Sequence, residues 1–524
     1  MSLDIAAAAH AAATDAARWQ LLRHLVGDAH VLQAEHLDEH HRRRHLHDWR
    51  GRYQGRCRAV VSPGSTQEVQ SVVRACQVWG WPLVPQGGNT SLVGGSVPDA
   101  SGQHLVLYLG RLRQVRQLDA NNLTITVEAG CTLDEVRQHA AQAGWLFPLS
   151  LASGGQCTIG GNLATNAGGT QVLRYGTARE LCLGLEVVTA QGDCWSQLAG
   201  LRKNNTGYDL KDLFIGSEGT LGVITAATLK LFPAPRGTAT ALLRCPDAGA
   251  AVALLTRARQ RLDAGLVAFE AMAPRPLALV QEHLPEVTRG LGPWSTPDGP
   301  SSDHPASATA SAPGGSSATP PAQLNAWLVL IEHVGPRETV LIEQELAELL
   351  EQAQHDGLIQ DAWLAGSLAQ QQALWRLRES IPLAEKAEGL MVKHDIGLPT
   401  SVIPQWLAQC EQALLQRWPG CQVVCFGHLG DGNLHYNVQA PAELRQGAAF
   451  EQFERDVNTV VFDLVQAHGG TLSAEHGIGA LRRDELARRA PPEGLAMMRA
   501  IKQALDPQGL FNPGRLIPPG SPRP

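Results

Sequence analysis

The sequence predicts an α+β chain of several domains, and three observations predict it. A capped helix with an apolar stripe is followed at once by a short strand that runs into a glycine-rich loop. A strand with alternating apolar residues then leads into a second capped helix. Beyond a Pro/Ser/Ala/Gly-rich stretch, strand and helix patterns resume as a second unit. At roughly 100–200 residues per domain, 524 residues suggest two to four domains.

The elements follow in order. Residues 1–53 form a lead-in: an alanine-rich amphipathic helix, then the cluster His40-His41-Arg42-Arg43-Arg44-His45, which reads as a solvated face. Ser65 and Glu68 make a capping-box pair, Val69, Val72, Val73 and Cys76 give the stripe, and Gly80 stands where a C-terminal cap belongs. Pro82 restarts the chain as the strand Leu83-Val84. Leu123, Ile125 and Val127 alternate with Thr124, Thr126 and Glu128, as on a half-buried strand, and Thr132 with Glu135 caps a helix ending at Gly144. Leu221 to Phe232 is strand-like and closed by Pro233 and Pro235, so a boundary is placed at 236. Residues 237–490 make the second α+β unit, with a buried strand over Trp327–Glu332 and a helix over Glu338–Gln354. Its segment 292–323 has almost no large apolar side chains and reads as a mobile insertion. Residues 491–524 close the chain.

Composition removes several classes. With 44% hydrophobic and 18% charged residues, global disorder is excluded. Lys+Arg 43 against Asp+Glu 50, with the basic residues scattered, supplies no field for nucleic acid. No run of about 18 apolar residues exists to span a bilayer. The first thirty residues lack the basic start and apolar stretch of a secretory signal, and ten cysteines without a CxxC pair read as reduced thiols, so a cytoplasmic protein is expected. A homodimer is also expected.

Three glycine-rich segments carry the first chemical signal: Pro85-Gln86-Gly87-Gly88-Asn89-Thr90-Ser91 to Gly95; Ser153-Gly154-Gly155 through Gly160-Gly161-Asn162 to Gly168-Gly169; and Gly216-Ser217-Glu218-Gly219-Thr220-Leu221-Gly222. None fits the GxGxxG or GxxxxGK[ST] fingerprint. Consecutive glycines among Asn, Thr and Ser let backbone N–H groups converge on an anion such as a pyrophosphate. Each loop taken singly is also a tight turn; three so close together weaken that alternative.

These segments resemble the FAD-binding domain of the vanillyl-alcohol-oxidase/para-cresol-methylhydroxylase flavoproteins. The resemblance implies a two-subdomain FAD-binding domain over 54–236, a substrate or cap domain, and a C-terminal tail returning to the flavin. The implied FAD contacts are Pro85, Gly87, Gly88, Asn89, Thr90, Ser91, Ser153, Gly154, Gly160, Gly161, Asn162, Gly168, Glu218, Gly219, Ile224 and, in the closing Asn512-Pro513-Gly514, Asn512. Covalent members attach FAD through a histidine in or near the first loop; residues 84–98 contain none, so dissociable FAD is expected. The stretch Arg202-Lys203-Asn204-Asn205-Thr206-Gly207-Tyr208-Asp209-Leu210 is similar to the D-2-hydroxyglutarate dehydrogenase branch.

In the back half, Gly427-His428-Leu429-Gly430-Asp431-Gly432-Asn433-Leu434-His435-Tyr436-Asn437 places two histidines around a Gly-Asp-Gly turn. If strands flank the turn, both imidazoles face one side, and His435 shares a strand face with Asn437. Ser473-Ala474-Glu475-His476-Gly477 adds a carboxylate beside a third histidine. Two imidazoles and a carboxylate with an open position suit a catalytic metal, zinc first, with manganese and iron open. Hydrogen-bonded strand histidines are the plainer alternative. The family resemblance implies His428, His435 and Glu475 as metal ligands, His476 as the base and Asn437 as a substrate contact. It also turns Arg378 and Lys393, otherwise equally readable as surface charges, into substrate-carboxylate binders. Where the hydroxyglutarate enzymes carry a threonine four residues after that arginine, this chain has Pro382. The expected activity is oxidation of a D-2-hydroxy acid, D-2-hydroxyglutarate first, with D-lactate or glycolate as alternatives. Electrons would pass to electron-transfer flavoprotein or a quinone. A non-catalytic FAD-binding subunit is the rival of another class.

Overall fold

A computed structural model describes residues 4–289, 291 and 326–518; the 292–323 insertion lies outside the described residues. The chain divides into two compact units. One comprises Met1–Gly169, Tyr175–Ala234 and Glu475–Pro524; the other comprises Thr170–Arg174 and Pro235–Ala474.

The first unit opens with two helices, Ile5–Ala11 and Asp15–Val26, where one was expected. The break is local: Thr14 accepts from the Ala17 N–H and caps a new helix. The His/Arg cluster lies on the helix Glu39–Leu46, and its reading as a solvated face fails at one residue. His45 is buried, because its Nδ1 meets Gln86 Oε1 at 2.6 Å and its ring stands edge-on to Tyr108.

A four-stranded sheet follows, in the order Val31–Gln33, Ala59–Val61, Leu105–Tyr108, Leu83–Gln86. The helix Thr66–Trp79 lays Val69, Val72, Val73 and Cys76 on it, all fully buried, each valine worth about 1.5–3 kcal/mol of transfer free energy as an upper estimate. Gly80 ends the helix with φ +63°, the left-handed conformation a Cβ would penalise. The expected capping box is only half formed here. Ser65 accepts from the Glu68 N–H, but the Glu68 carboxylate accepts from Gly64 instead of Ser65. Thr132 and Glu135 form the complete box ahead of the helix Leu133–Gln142.

The second sheet of this unit is antiparallel, in the order Val115–Asp119, Thr124–Glu128, Val223–Lys230, Cys182–Val188, Cys194–Gln197. The Thr124–Glu128 strand is more buried than its alternation predicts. Glu128 is covered, and Arg116 bridges it to Glu186 at 3.2 and 3.1 Å, so the carboxylates survive burial by pairing. Burial pushes the Glu186 carboxyl up, but Arg116, Thr66 and Thr225 together bring it below its ordinary value.

The chain's end returns to this unit. Phe511 bridges Leu83 in parallel, with Leu83 N–H donating to Leu510 O and Asn512 N–H to Leu83 O. Lys502 on the helix Pro492–Leu505 donates to Thr220 O, Phe511 O and Asp506, tying that helix to the tail.

The second unit is built on one seven-stranded antiparallel sheet. Its order is Asp361–Leu364, Gly237–Cys245, Trp327–Gly335, Leu266–Met272, Gln422–His428, Asn433–Gln439, Met391–Gly397. Each face has its own core. One face, with Ala241, Leu243, Phe269, Ile331, Val392 and Tyr436, packs on residues such as Leu254, Leu346, Trp406 and Val461 from four helices. The other, with Leu242, Met272, Leu330 and Phe426, is covered by Leu374, Leu377 and Ile381 of the helix Leu368–Glu388. All ten cysteines are free thiols, nine of them buried. No helix among the described residues is long and apolar enough to cross a membrane.

Candidate functional site

In the first unit the glycine segments build one cradle. Gln86, buried at the end of its strand, donates to His45 O at 3.0 Å and to Ser96 O at 2.7 Å, which spans the loop that follows it. Asn89, with φ +52°, donates to Arg44 O and His47 O and accepts from Ser96 Oγ, so its side chain serves the loop's frame. A Cβ on Gly87 would stand 2.2 Å from Thr158 Oγ1, and one on Gly88 1.9 Å from Gln156 O; only glycine allows the first loop to lie against the second. Ser153 O accepts from the Gln156 and Cys157 N–H groups, and a Cβ on Gly154 would meet Asp134. Thr158 caps the short helix Ile159–Ala164, where Gly160 lies against Ala129, Gly161 donates to Thr158 Oγ1, and Asn162 is buried. Ile224 is buried on its strand, and Gly168 is buried beside Gly169.

Glu218 has φ +53°, followed by Gly219 at φ +67°. Its carboxylate accepts from the Ile478 N–H at 2.8 Å and the Gly479 N–H at 2.7 Å, holding the segment that carries Glu475 and His476. Burial pushes this carboxyl above its ordinary value. Asn512 donates to Gly95 O and Glu218 O, both at 2.8 Å, while its Oδ1 is buried without a hydrogen-bond partner. Arg515, the last residue of the closing motif and given no role of its own from the sequence, donates to Gly94 O, Val97 O and the Tyr53 hydroxyl. A loop with no room for side chains and an unsatisfied buried acceptor beside it fit a bound dinucleotide with an N–H to donate. FAD suits these residues.

In the second unit, strand register gathers the polar residues on one sheet face. Glu270 pairs with His428, Phe426 with His435, Val424 with Asn437, and Lys393 and Asp395 of the next strand face Asn437 and His435. Directly opposed residues share a face, so Glu270, His428, His435, Asn437, Lys393 and Asp395 stand together. Strands do flank the Gly-Asp-Gly turn, and the two imidazole centroids lie 5.7 Å apart. The helix Leu368–Glu388 adds Arg378 and Glu385.

Each of these groups has a defined partner. The Glu270 carboxylate, with no exposed surface, accepts from Arg378 Nε at 2.8 Å and meets His428 Nδ1 at 2.6 Å. Burial pushes the Glu270 carboxyl up, but His428 and Arg378 outweigh it and hold it at about 2. The Arg378 guanidinium stacks 4.8 Å over the Phe426 ring and is only 6% exposed, so it is not a surface charge. Glu385 accepts from Lys393 Nζ at 2.7 Å and from the Asn437 amide, while Asn437 Oδ1 accepts from the His394 N–H. Asp395 accepts from Asn433 at 2.8 Å and lies 4.0 Å from His435 Nδ1. Pro382, one helical turn after Arg378, is exposed.

Sequence reasoning missed Glu270 and Glu385. The first left a trace: it is the single charge in the strand Leu266–Met272, and a carboxylate in a fully buried strand requires a partner. Glu385 left none, since its partners come from strands.

Residues 57–196 match an FAD binding domain, and 234–516 match the FAD linked oxidases, C-terminal domain. The chain is 37% identical over 473 residues to the mitochondrial D-2-hydroxyglutarate dehydrogenase of Bos taurus, covering 90% of this chain and 79% of that protein. Against the D-2-hydroxyglutarate dehydrogenase of Xanthomonas citri pv. viticola it is 37% identical over 472 residues, 90% of this chain and 91% of that one. The crystal structure of p-cresol methylhydroxylase with substrate bound superposes with a TM-score of 0.69 at 16% identity, over 96% of each chain. Alkyldihydroxyacetonephosphate synthase gives 0.68 at 17%, over 95% of this chain and 85% of that one. With its glycine cradle and its match to both halves of this architecture, the chain is an FAD-linked oxidoreductase and belongs to the D-2-hydroxyglutarate dehydrogenase family.

Proposed function

We propose that this protein oxidises a D-2-hydroxy acid, D-2-hydroxyglutarate first, to the 2-keto acid, with dissociable FAD and a divalent metal, zinc first. The observation that carries the reading is the convergence of His428, His435, Asn437, Arg378 and Lys393 around one polar sheet face. Arg378 and Lys393 grip the substrate carboxylate, and Asn437 contacts it. The Arg378 Nε–H is spent on Glu270, and the planar fork keeps further donors for a bidentate grip. His428 and His435, with Glu475, hold the metal; imidazole and carboxylate are the donors zinc accepts. A bound divalent ion lowers the pKa of a coordinated hydroxyl. His476 takes the C2 hydroxyl proton near neutral pH. Bound FAD supplies a hydride acceptor.

The formal charges of the second unit's polar face support the metal. Arg378 and Lys393 are two cations against the three carboxylates Glu270, Glu385 and Asp395, so a divalent ion is what makes that face attractive to an anion. Family membership supports an external acceptor, electron-transfer flavoprotein or a quinone. Ten unpaired thiols support a reducing compartment, the cytoplasm. A second reading, a smaller acid such as D-lactate, is favoured by Pro382, which offers neither hydroxyl nor N–H to a distal carboxylate.

The test is an anaerobic absorbance titration of the flavin-loaded protein with D- and L-hydroxy acids, before and after chelation. D-2-Hydroxyglutarate should bleach the flavin, and chelation should abolish bleaching while FAD stays bound. No bleaching by any D-hydroxy acid overturns the reading; bleaching that survives complete metal removal overturns its metal half.

A further inference from the structure

We infer that Glu270 is a positioning residue that couples metal binding to substrate binding, one carboxylate setting both the tautomer of His428 and the direction of Arg378. The inference rests on the metal-assisted reading above and adds a residue to it.

The argument begins with donors and acceptors. Arg378 Nε is an obligate donor, at 2.8 Å from Glu270 Oε2. A carboxylate only accepts, so Oε1, at 2.6 Å from His428 Nδ1, requires the proton on that nitrogen. Nε2 is then the imidazole's lone-pair atom, the one a metal can take. A carboxylate behind a ligating histidine fixes ring and tautomer together and raises the ligand's basicity. Here the same carboxylate also orients the guanidinium stacked over Phe426. Glu270 has no exposed surface and sits on a strand paired directly with His428, so neither partner can turn without the other losing a buried hydrogen bond.

Glu270→Gln distinguishes this from packing, because it keeps the size and changes the rule. Arg378 can only donate, so the amide oxygen must face it. The amide NH2 then faces His428 Nδ1, which must accept, and the imidazole proton moves to Nε2. The variant inverts the tautomer without opening a cavity. Releasing the amide with a second change, Arg378→Leu, lets the Gln oxygen turn back to His428.

The experiment measures Zn2+ affinity of full-length FAD-loaded protein by chelator competition, together with the 15N spectrum of metal-free histidine-labelled protein, His428 being assigned by its loss in His428→Gln. The expected results are about 10–100-fold weaker zinc binding in E270Q, recovery toward wild type in the E270Q/R378L double variant, and an Nδ1–H tautomer in wild type that becomes Nε2–H in E270Q. Equal zinc affinity in folded E270Q, or an unchanged tautomer, overturns the inference. If E270Q does not fold, the wild-type spectrum decides alone, and an Nε2–H His428 overturns it. A wild-type protein that binds no zinc sinks the metal-assisted reading, while the tautomer pair still judges Glu270.

Discussion

Asn512 donates its side-chain amide to the main-chain oxygen of Glu218 at 2.8 Å, joining residues 294 positions apart. Its second donor reaches Gly95 O, so one side chain staples the tail to the first and third glycine segments. Asn512→Ala leaves two carbonyls without this donor, about 1–3 kcal/mol each if they stay buried and unpaired. The expected outcome is at least tenfold weaker FAD retention, measured by fluorescence of released flavin against protein concentration. Unchanged retention would show that the staple is independent of the cofactor cradle.

Glu218 holds the Ile478 and Gly479 N–H groups, and His476 lies two residues before the first of them. We expect His476→Ala to purify yellow and to bind FAD normally. Its rate of flavin reduction by substrate should fall 10²–10⁴-fold, the range for loss of a general base. Stopped-flow absorbance reads this directly, and near-normal reduction removes His476 from the proposed role.

Pro382 interrupts the hydrogen-bond ladder of the helix Leu368–Glu388, because it has no N–H for the carbonyl of Arg378. Pro382→Thr restores the donor and adds a hydroxyl. Two gains are expected together: a higher melting temperature, and a roughly tenfold rise in kcat/KM for D-2-hydroxyglutarate relative to D-lactate, about 1.4 kcal/mol. A stability gain without a change in that ratio would assign Pro382 to helix geometry alone.

Burial pushes the His45 imidazole down to about 4, against an ordinary 6.5. The unfolded chain therefore binds the proton more readily, and the stability contributed by neutral His45 is complete above pH 6.5 and is lost as pH falls toward 4. Between pH 7 and 4.5 this amounts to about 2 kcal/mol. His45→Gln should flatten that part of the stability curve in urea titrations at the two pH values. An equally steep loss in the variant would place the acid sensitivity elsewhere.

What the sequence determined by itself is the local chemistry. The Thr132 and Glu135 box, the Gly80 cap and the Gly87-Gly88 turn are each settled within a few residues by backbone donors and steric room. The strands around the Gly-Asp-Gly turn were legible for the same reason, and two histidines seven apart on that hairpin fall on one face. Tertiary structure alone decided which charges meet them. Glu270 reaches His428 across 158 positions, and Glu385 reaches Asn437 across 52, because sheet order and register bring those strands and one helix together. Pairing between distant strands has no local propensity to announce it, so a buried carboxylate shows in the sequence only as a charge in need of a partner.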